Sequence, residues 1–187
     1  MSELDSAIAL AACESLLNAS AQSLDEISTK SVFAPDLEEE VFHHPSSEMS
    51  LLKEVADSLP WTRTKTIAKE NPKLSTLAAV ELIGPNGVAT NEKLRLGLLL
   101  QPACTHYPRH RHAAEELYLV LSGTALWGQG KAEPTPRQPG SFCHHASWEW
   151  HEMVTAEEPL LSLWCWTGDI RFDQYQFLHP DGLVDDY

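Results

Sequence analysis

The apolar positions change rhythm partway along the chain. From Ser2 to about Leu59 they recur at helical spacing, first as Ile8, Leu10, Ala11, Leu16 and Leu17, then as Met49, Leu51, Leu52, Val55 and Leu59. Residues three and four apart share a helix face, so this rhythm predicts two helices, each with one buried stripe. The intervening FAPDLEEEVFHHPSS is charged and broken by proline, which reads as a loop or short helix, with Ser46 or Ser47 capping the second helix.

After Pro72 the grammar changes to short apolar runs: TLAAVELIG, LRLGLLLQ, ELYLVLSG, TALWGQ, GSFCHH, EMVTA and LLSLWCW. Turn residues divide them, among them Pro85 with Asn86 and Gly87, Ser122 with Gly123, and Glu158 with Pro159. Many short strands at regular intervals predict a β-sandwich or double-sheet barrel. The expected organisation is a helical extension over residues 1–72, packed on a β-barrel domain over residues 73–187.

Composition narrows the partners. A chain of 187 residues with 43% hydrophobic content supports one substantial core. Its formal charge of -14 repels phosphate backbones and anionic membranes, so neither nucleic acid nor a membrane surface is an expected partner. No run approaches the ~20 apolar residues that span a bilayer. The start, MSELDSAIALAACESLL, carries acids where an export signal carries basic residues. Cys13, Cys104, Cys143 and Cys165 form no CxxC pair, which suits reduced thiols in a cytoplasmic protein.

The stretch with candidate chemistry is YPRHRHAAEELY, from Tyr107 to Tyr118. Side chains two apart on a strand share a face, so His110 and His112 project together, as do Glu116 and Tyr118. A bend or bulge through Ala113, Ala114 and Glu115 would gather the two pairs into one cluster. Imidazoles with one carboxylate suit zinc, iron, manganese, cobalt or nickel, whereas magnesium and calcium prefer oxygen ligands. The bland reading is a polar strand with satisfied histidines.

These residues resemble the first motif of the cupin superfamily, with His110, His112, Glu116 and Gly123 in register and Cys104 where the leading glycine would stand. The second motif is weaker. Gly140 is present and His151 takes the histidine position, while Ala146, Trp148 and Thr155 replace the proline, glycine and asparagine. His144 and His145 compete as a fourth ligand but do not fit the spacing. The resemblance covers Thr76 to Gly168 and implies a mainly β fold, the double-stranded β-helix or jelly-roll barrel.

Within that superfamily, YPRHRHAAEELYLVLSG, WHEM and LWCWTGD resemble the cupin-type dimethylsulfoniopropionate lyases of the Q type. The resemblance implies cleavage of a small zwitterionic sulfonium substrate to dimethyl sulfide and acrylate at one divalent transition metal. By motif position it implies His112, Glu116 and His151 as ligands, with His110 either a ligand or a substrate-orienting residue. It also implies Tyr107 as base and Tyr118 as a phenol beside the metal, roles that are exchangeable. Trp166, from LWCW, would bind the sulfonium on its aromatic face. Trp164 shares that face by alternation, so one ring can serve substrate while the other packs. The alternatives are another metal-dependent cupin, such as an iron dioxygenase with the same ligands, or a ligand-binding cupin without catalysis. Monomer and homodimer both remain compatible with the chain.

Overall fold

The structure is a computed structural model that describes residues 20–21, 47–56, 58–63, 77–179 and 181–186. The predicted helix through Ile8 to Leu17, and Cys13 with it, lies outside them. Helix α1 spans Ser47–Ala56, as the second apolar stripe predicts. Leu52, Ala56 and Leu59 bring that stripe onto the barrel. Val55 falls at its edge and is exposed. The helix ends through Ser58 and Leu59 amides donating to the Val55 and Ala56 carbonyls. The Trp61 indole also donates to the Ala56 carbonyl at 2.9 Å, satisfying a helix-terminal acceptor.

The strands are β1 Ser20–Ala21, β2 Thr62–Arg63, β3 Ala78–Gly84, β4 Ala89–Thr90, β5 Arg95–Gln101, β6 His106–His112, β7 Ala114–Ser122, β8 Ala125–Gln129, β9 Thr135–Arg137, β10 Phe142–His145, β11 His151–Thr155, β12 Leu160–Gly168, β13 Tyr175–Leu178 and β14 Val184–Asp186. They form two sheets. The first runs β1-β4-β3-β5-β12-β7-β10, with β2 also on β3, and the second runs β14-β13-β6-β11-β8-β9. This is the expected double-stranded β-helix. The described part of the first 72 residues is not only helical, because β1 and β2 hydrogen-bond to β4 and β3. Two residues suffice to extend a sheet edge, and so short a segment carries no periodicity.

Alternation divides the core into layers. Along β12, Leu160, Trp164 and Trp166 face the space between the sheets, together with Leu99, Tyr118, Trp127 and Met153. Leu161 packs on the other face beneath α1, with Val80, Leu98 and Leu100. Every residue of β5 is buried, because helix and barrel interior cover both faces of the first sheet. A continuous apolar run such as LRLGLLLQ is the sequence form of that burial. Gly97 belongs there for steric reasons: a Cβ would lie 2.0 Å from the Val80 carbonyl oxygen and 2.7 Å from the Trp164 ring.

Candidate active site

The motif stretch crosses from one sheet to the other. β6 lies in the second sheet and β7 in the first, so Ala113 is the corner where the chain changes wall. The amide of Ala113 donates to the Gln174 carbonyl, and its own carbonyl accepts from the Ser147 hydroxyl at 2.6 Å. This corner is the bend that the sequence required, and it turns Glu116 toward the histidines of β6.

A second irregularity sets the tyrosine. Tyr107 and His110 are three apart and would face opposite ways on a regular strand. The pairing of β6 with β11 slips between His151, opposite His110, and Met153, opposite Tyr107. That bulge contains Pro108, which could not donate to a continuous ladder. With it, Tyr107, His110 and His112 are all buried, and the Tyr107 and His110 rings stack at 4.2 Å.

Three imidazoles are held alike. The Nδ1 atoms of His110, His112 and His151 lie 2.6, 3.0 and 2.9 Å from the carbonyl oxygens of Pro108, Ala114 and Glu149. A carbonyl only accepts, so each Nδ1 carries a proton and each Nε2 is left to face inward. The possible ligand atoms of these residues lie within 4.8 Å of one another. Nε2 of His110 and of His151 has no hydrogen-bond partner although it is buried.

Glu116 closes the cluster from the opposite sheet. Its Oε2 lies 3.1 Å from His112 Nε2 and 3.2 Å from His151 Nε2, the latter too poorly aligned for a hydrogen bond. Burial by itself favours the protonated acid. The charge and hydrogen bond of His112, joined by the charge of the adjacent His151, outweigh it and hold the carboxyl well below its ordinary 4.5. The other oxygen, Oε1, accepts a 2.6 Å hydrogen bond from the Trp166 indole. Trp166 therefore orients the carboxylate while its ring lies 4.3 Å from that of His112.

The tyrosines differ in their neighbours. Burial first, then the negative charge of Glu116, raises Tyr118 well above the usual phenol value of 10. Its ring packs edge-on against Trp127 at 5.2 Å. Tyr107 meets Tyr175, which sequence reasoning did not single out, with the two hydroxyl oxygens 2.7 Å apart. Tyr175 stacks over His110 at 5.2 Å, and burial, then the neighbouring Tyr107, pushes its pKa upward. Strand alternation of Tyr175 with Phe177 was the available signal.

Of the two competing histidines, His144 turns outward to Glu115 at 2.9 Å, while His145 is fully buried inside. Trp164 packs over Gly97. Trp148 and Trp150 lie under Arg111, whose guanidinium is 5.6 and 4.4 Å from their rings. The replaced motif glycines keep their backbone shape: Cys104 has φ +54° and Trp148 has φ +62°, the left-handed region that glycine occupies most easily.

This donor set fits a metal ion. Buried imidazole nitrogens without partners, an ionised carboxylate between two of the rings, and Nδ1 atoms fixed from behind match the construction of a transition-metal centre. The fit rests on the orphaned nitrogens, since a buried acceptor left unsatisfied is costly.

Known proteins resemble this chain in sequence and in fold. The family of dimethylsulfoniopropionate lyases matches residues 5–162. Dimethylsulfoniopropionate lyase DddQ of Ruegeria pomeroyi is 34% identical over 103 residues, 55% of this chain and 51% of that protein. A putative dimethylsulfoniopropionate lyase, DddL of Cereibacter sphaeroides, is 33% identical over 93 residues, 49% of this chain and 38% of the relative. The matches thus span about half or less of those relatives' length. Among solved structures, one described with the lyases RdDddP and RnDddQII superposes with a TM-score of 0.65 at 25% identity, over 81% of this chain and 82% of that one. The Ruegeria pomeroyi DddQ crystal structure gives 0.67 at 19% identity, over 97% of this chain and 100% of that one, and supports the fold. With its barrel, its inward histidines and a family match across most of its length, the chain belongs to the dimethylsulfoniopropionate lyase family.

Proposed function

We propose that this protein is a metal-dependent carbon–sulfur lyase that cleaves dimethylsulfoniopropionate to dimethyl sulfide and acrylate. The observation that carries the reading is the convergence of three inward Nε2 atoms and Glu116 in the barrel that also encloses Tyr107, Tyr118 and Tyr175. A divalent zinc, iron, manganese, cobalt or nickel ion held by His112, Glu116 and His151, with His110 as ligand or substrate guide, would draw charge from the substrate carboxylate.

The chain's own residues then perform an elimination. Tyr107, as phenolate, takes the proton from the carbon next to the carboxylate. The C–H electron pair becomes the new double bond, and the C–S bond breaks with its pair going to sulfur. Sulfonium thereby leaves as neutral dimethyl sulfide, and acrylate remains. The 2.7 Å contact with Tyr175 supports Tyr107 as base, because an O–H donated to a phenolate oxygen favours the charged form. Tyr118 would be the phenol beside the metal. The Trp166 ring receives the sulfonium by a cation-π attraction of about 0.5–2 kcal/mol.

The test is release of dimethyl sulfide into the headspace when the folded, metal-loaded protein meets dimethylsulfoniopropionate without oxygen. Equal amounts of acrylate should accumulate. No release across neutral and alkaline pH would overturn the proposal, and turnover that requires oxygen would favour a dioxygenase with the same ligands.

A further inference from the structure

Among the four buried histidines of the barrel, His145 is wired unlike the rest. It lies on β10 opposite Glu116, and its ring is stacked on that of His151, with centroids 4.1 Å apart and planes 9° from parallel. On His151 the His110 ring also bears, nearly edge-on at 4.1 Å. His151 is therefore clamped between two imidazoles.

The other three rings give Nδ1 to a backbone carbonyl and leave Nε2 inward. In His145 it is Nε2 that is occupied, by the Trp127 indole N–H at 3.0 Å. An indole nitrogen only donates, so His145 Nε2 must present its lone pair and the neutral ring carries its proton on Nδ1. That same bond uses the lone pair with which Nε2 would coordinate. Nδ1 is buried with no hydrogen-bond partner, an expense that an aliphatic side chain filling the same space would avoid. Packing alone gives no reason for an imidazole here.

We infer that His145 is a positioning residue: Trp127 holds it in one tautomer, off the metal, and its flat ring fixes the plane in which His151 presents Nε2. Residues behind the ligands set ligand orientation in metal centres generally, and their loss typically weakens metal affinity about 10–100-fold. The inference rests on the proposed role of His151 as a ligand.

Zinc affinity by competition with a chromophoric chelator, and the ligand-field spectrum of the cobalt-loaded protein, test it without reference to activity. His145→Leu, similar in bulk but not flat, should weaken zinc binding at least about 10-fold and alter the cobalt spectrum, while His145→Phe should restore both toward the parent. Trp127→Phe keeps an aromatic ring and removes the donor; it should change the cobalt spectrum, and it provides an independent variant should those at His145 not fold. Parent-like affinity and spectrum in His145→Leu, or a parent-like spectrum in Trp127→Phe, would overturn the inference. If the parent protein itself binds neither zinc nor cobalt, the reading of His151 as a ligand fails first, and the inference falls with it.

Discussion

The hydroxyl oxygens of Tyr107 and Tyr175 lie 2.7 Å apart across the paired strands β6 and β13. One of them must donate, and the one that serves as base must accept. If Tyr107 takes the substrate proton, Tyr107→Phe should lower kcat about 100-fold or more. Tyr175→Phe should cost about 10-fold with little change in KM, since it removes one hydrogen bond to the charged phenolate. Dimethyl sulfide release by both variants checks the ranking, and the opposite order would exchange their roles.

The Glu116 carboxylate faces two imidazole nitrogens from the other wall of the barrel. Glu116→Gln and His151→Ala should each reduce bound metal to a small fraction of the parent's, measured as metal per folded chain after dialysis. Removing metal from the parent with a chelator should lower its melting temperature as well, because an ion that binds only the folded state stabilises it. Readdition should restore both metal content and turnover.

Trp166 has two separable functions. Its indole N–H holds Glu116 Oε1 at 2.6 Å, and its ring is the proposed seat of the sulfonium. Trp166→Phe retains a ring face and deletes the donor, so metal affinity should fall about 10-fold or more while KM, measured at saturating metal, changes less. Trp166→Leu deletes both and should raise KM as well. A Phe variant that binds metal as the parent does would show that the hydrogen bond does not orient the ligand.

Metal-free protein should lose stability in mild acid. Burial first, then the charge of His151, depresses the pKa of His110 and of His145 below the ordinary 6.5. Below that value the unfolded chain binds protons that the folded chain refuses. The stability these groups contribute is therefore fully present above pH 6.5 and declines below it, by up to about 1.4 kcal/mol per pH unit for each. Glu116, whose folded pKa is depressed below 4.5, adds a further loss once the pH falls below that value. Thermal melts between about pH 8 and pH 5 test this, and a flat profile would contradict it.

The strands were readable because burial imposes alternation. LLSLWCW and LRLGLLLQ sit where their patterns predict, and the pairs His110 with His112 and Glu116 with Tyr118 face the interior as period two requires. Positions that break the period were harder to read. Tyr107 reaches the site only through the bulge at β11, which no local composition announces. Tyr175 sits on YQFL, a partly buried strand too short for a strong pattern, and its importance comes from pairing opposite His112. In the tandem His144 and His145, alternation requires one side chain out and one in, but not which. The missing motif glycines were the reverse case. Cys104 and Trp148 look like lost turns in the sequence, yet both retain a positive φ. The Trp148 amide also donates to the His112 carbonyl at 2.8 Å, so the turn is held by its bond to the end of β6.

The two sheets differ in what lies behind them. The first is covered on both faces along β5, whereas the second shows Leu126 to solvent and carries the ion pairs of Glu152 with His106 and Arg109 on its side chains. His110, His112, His151, Tyr107 and Tyr175 all belong to this second sheet. Inheritance should therefore treat the walls unequally. A replacement in β5 disturbs packing on one side or the other, but the outward residues of β6 and β11, such as His106, Arg109 and Glu152, can drift without reaching the barrel interior. The wall that carries the histidines thus has an outer face free for neutral variation, while the wall that carries Glu116 and Trp166 is held on both faces along β5.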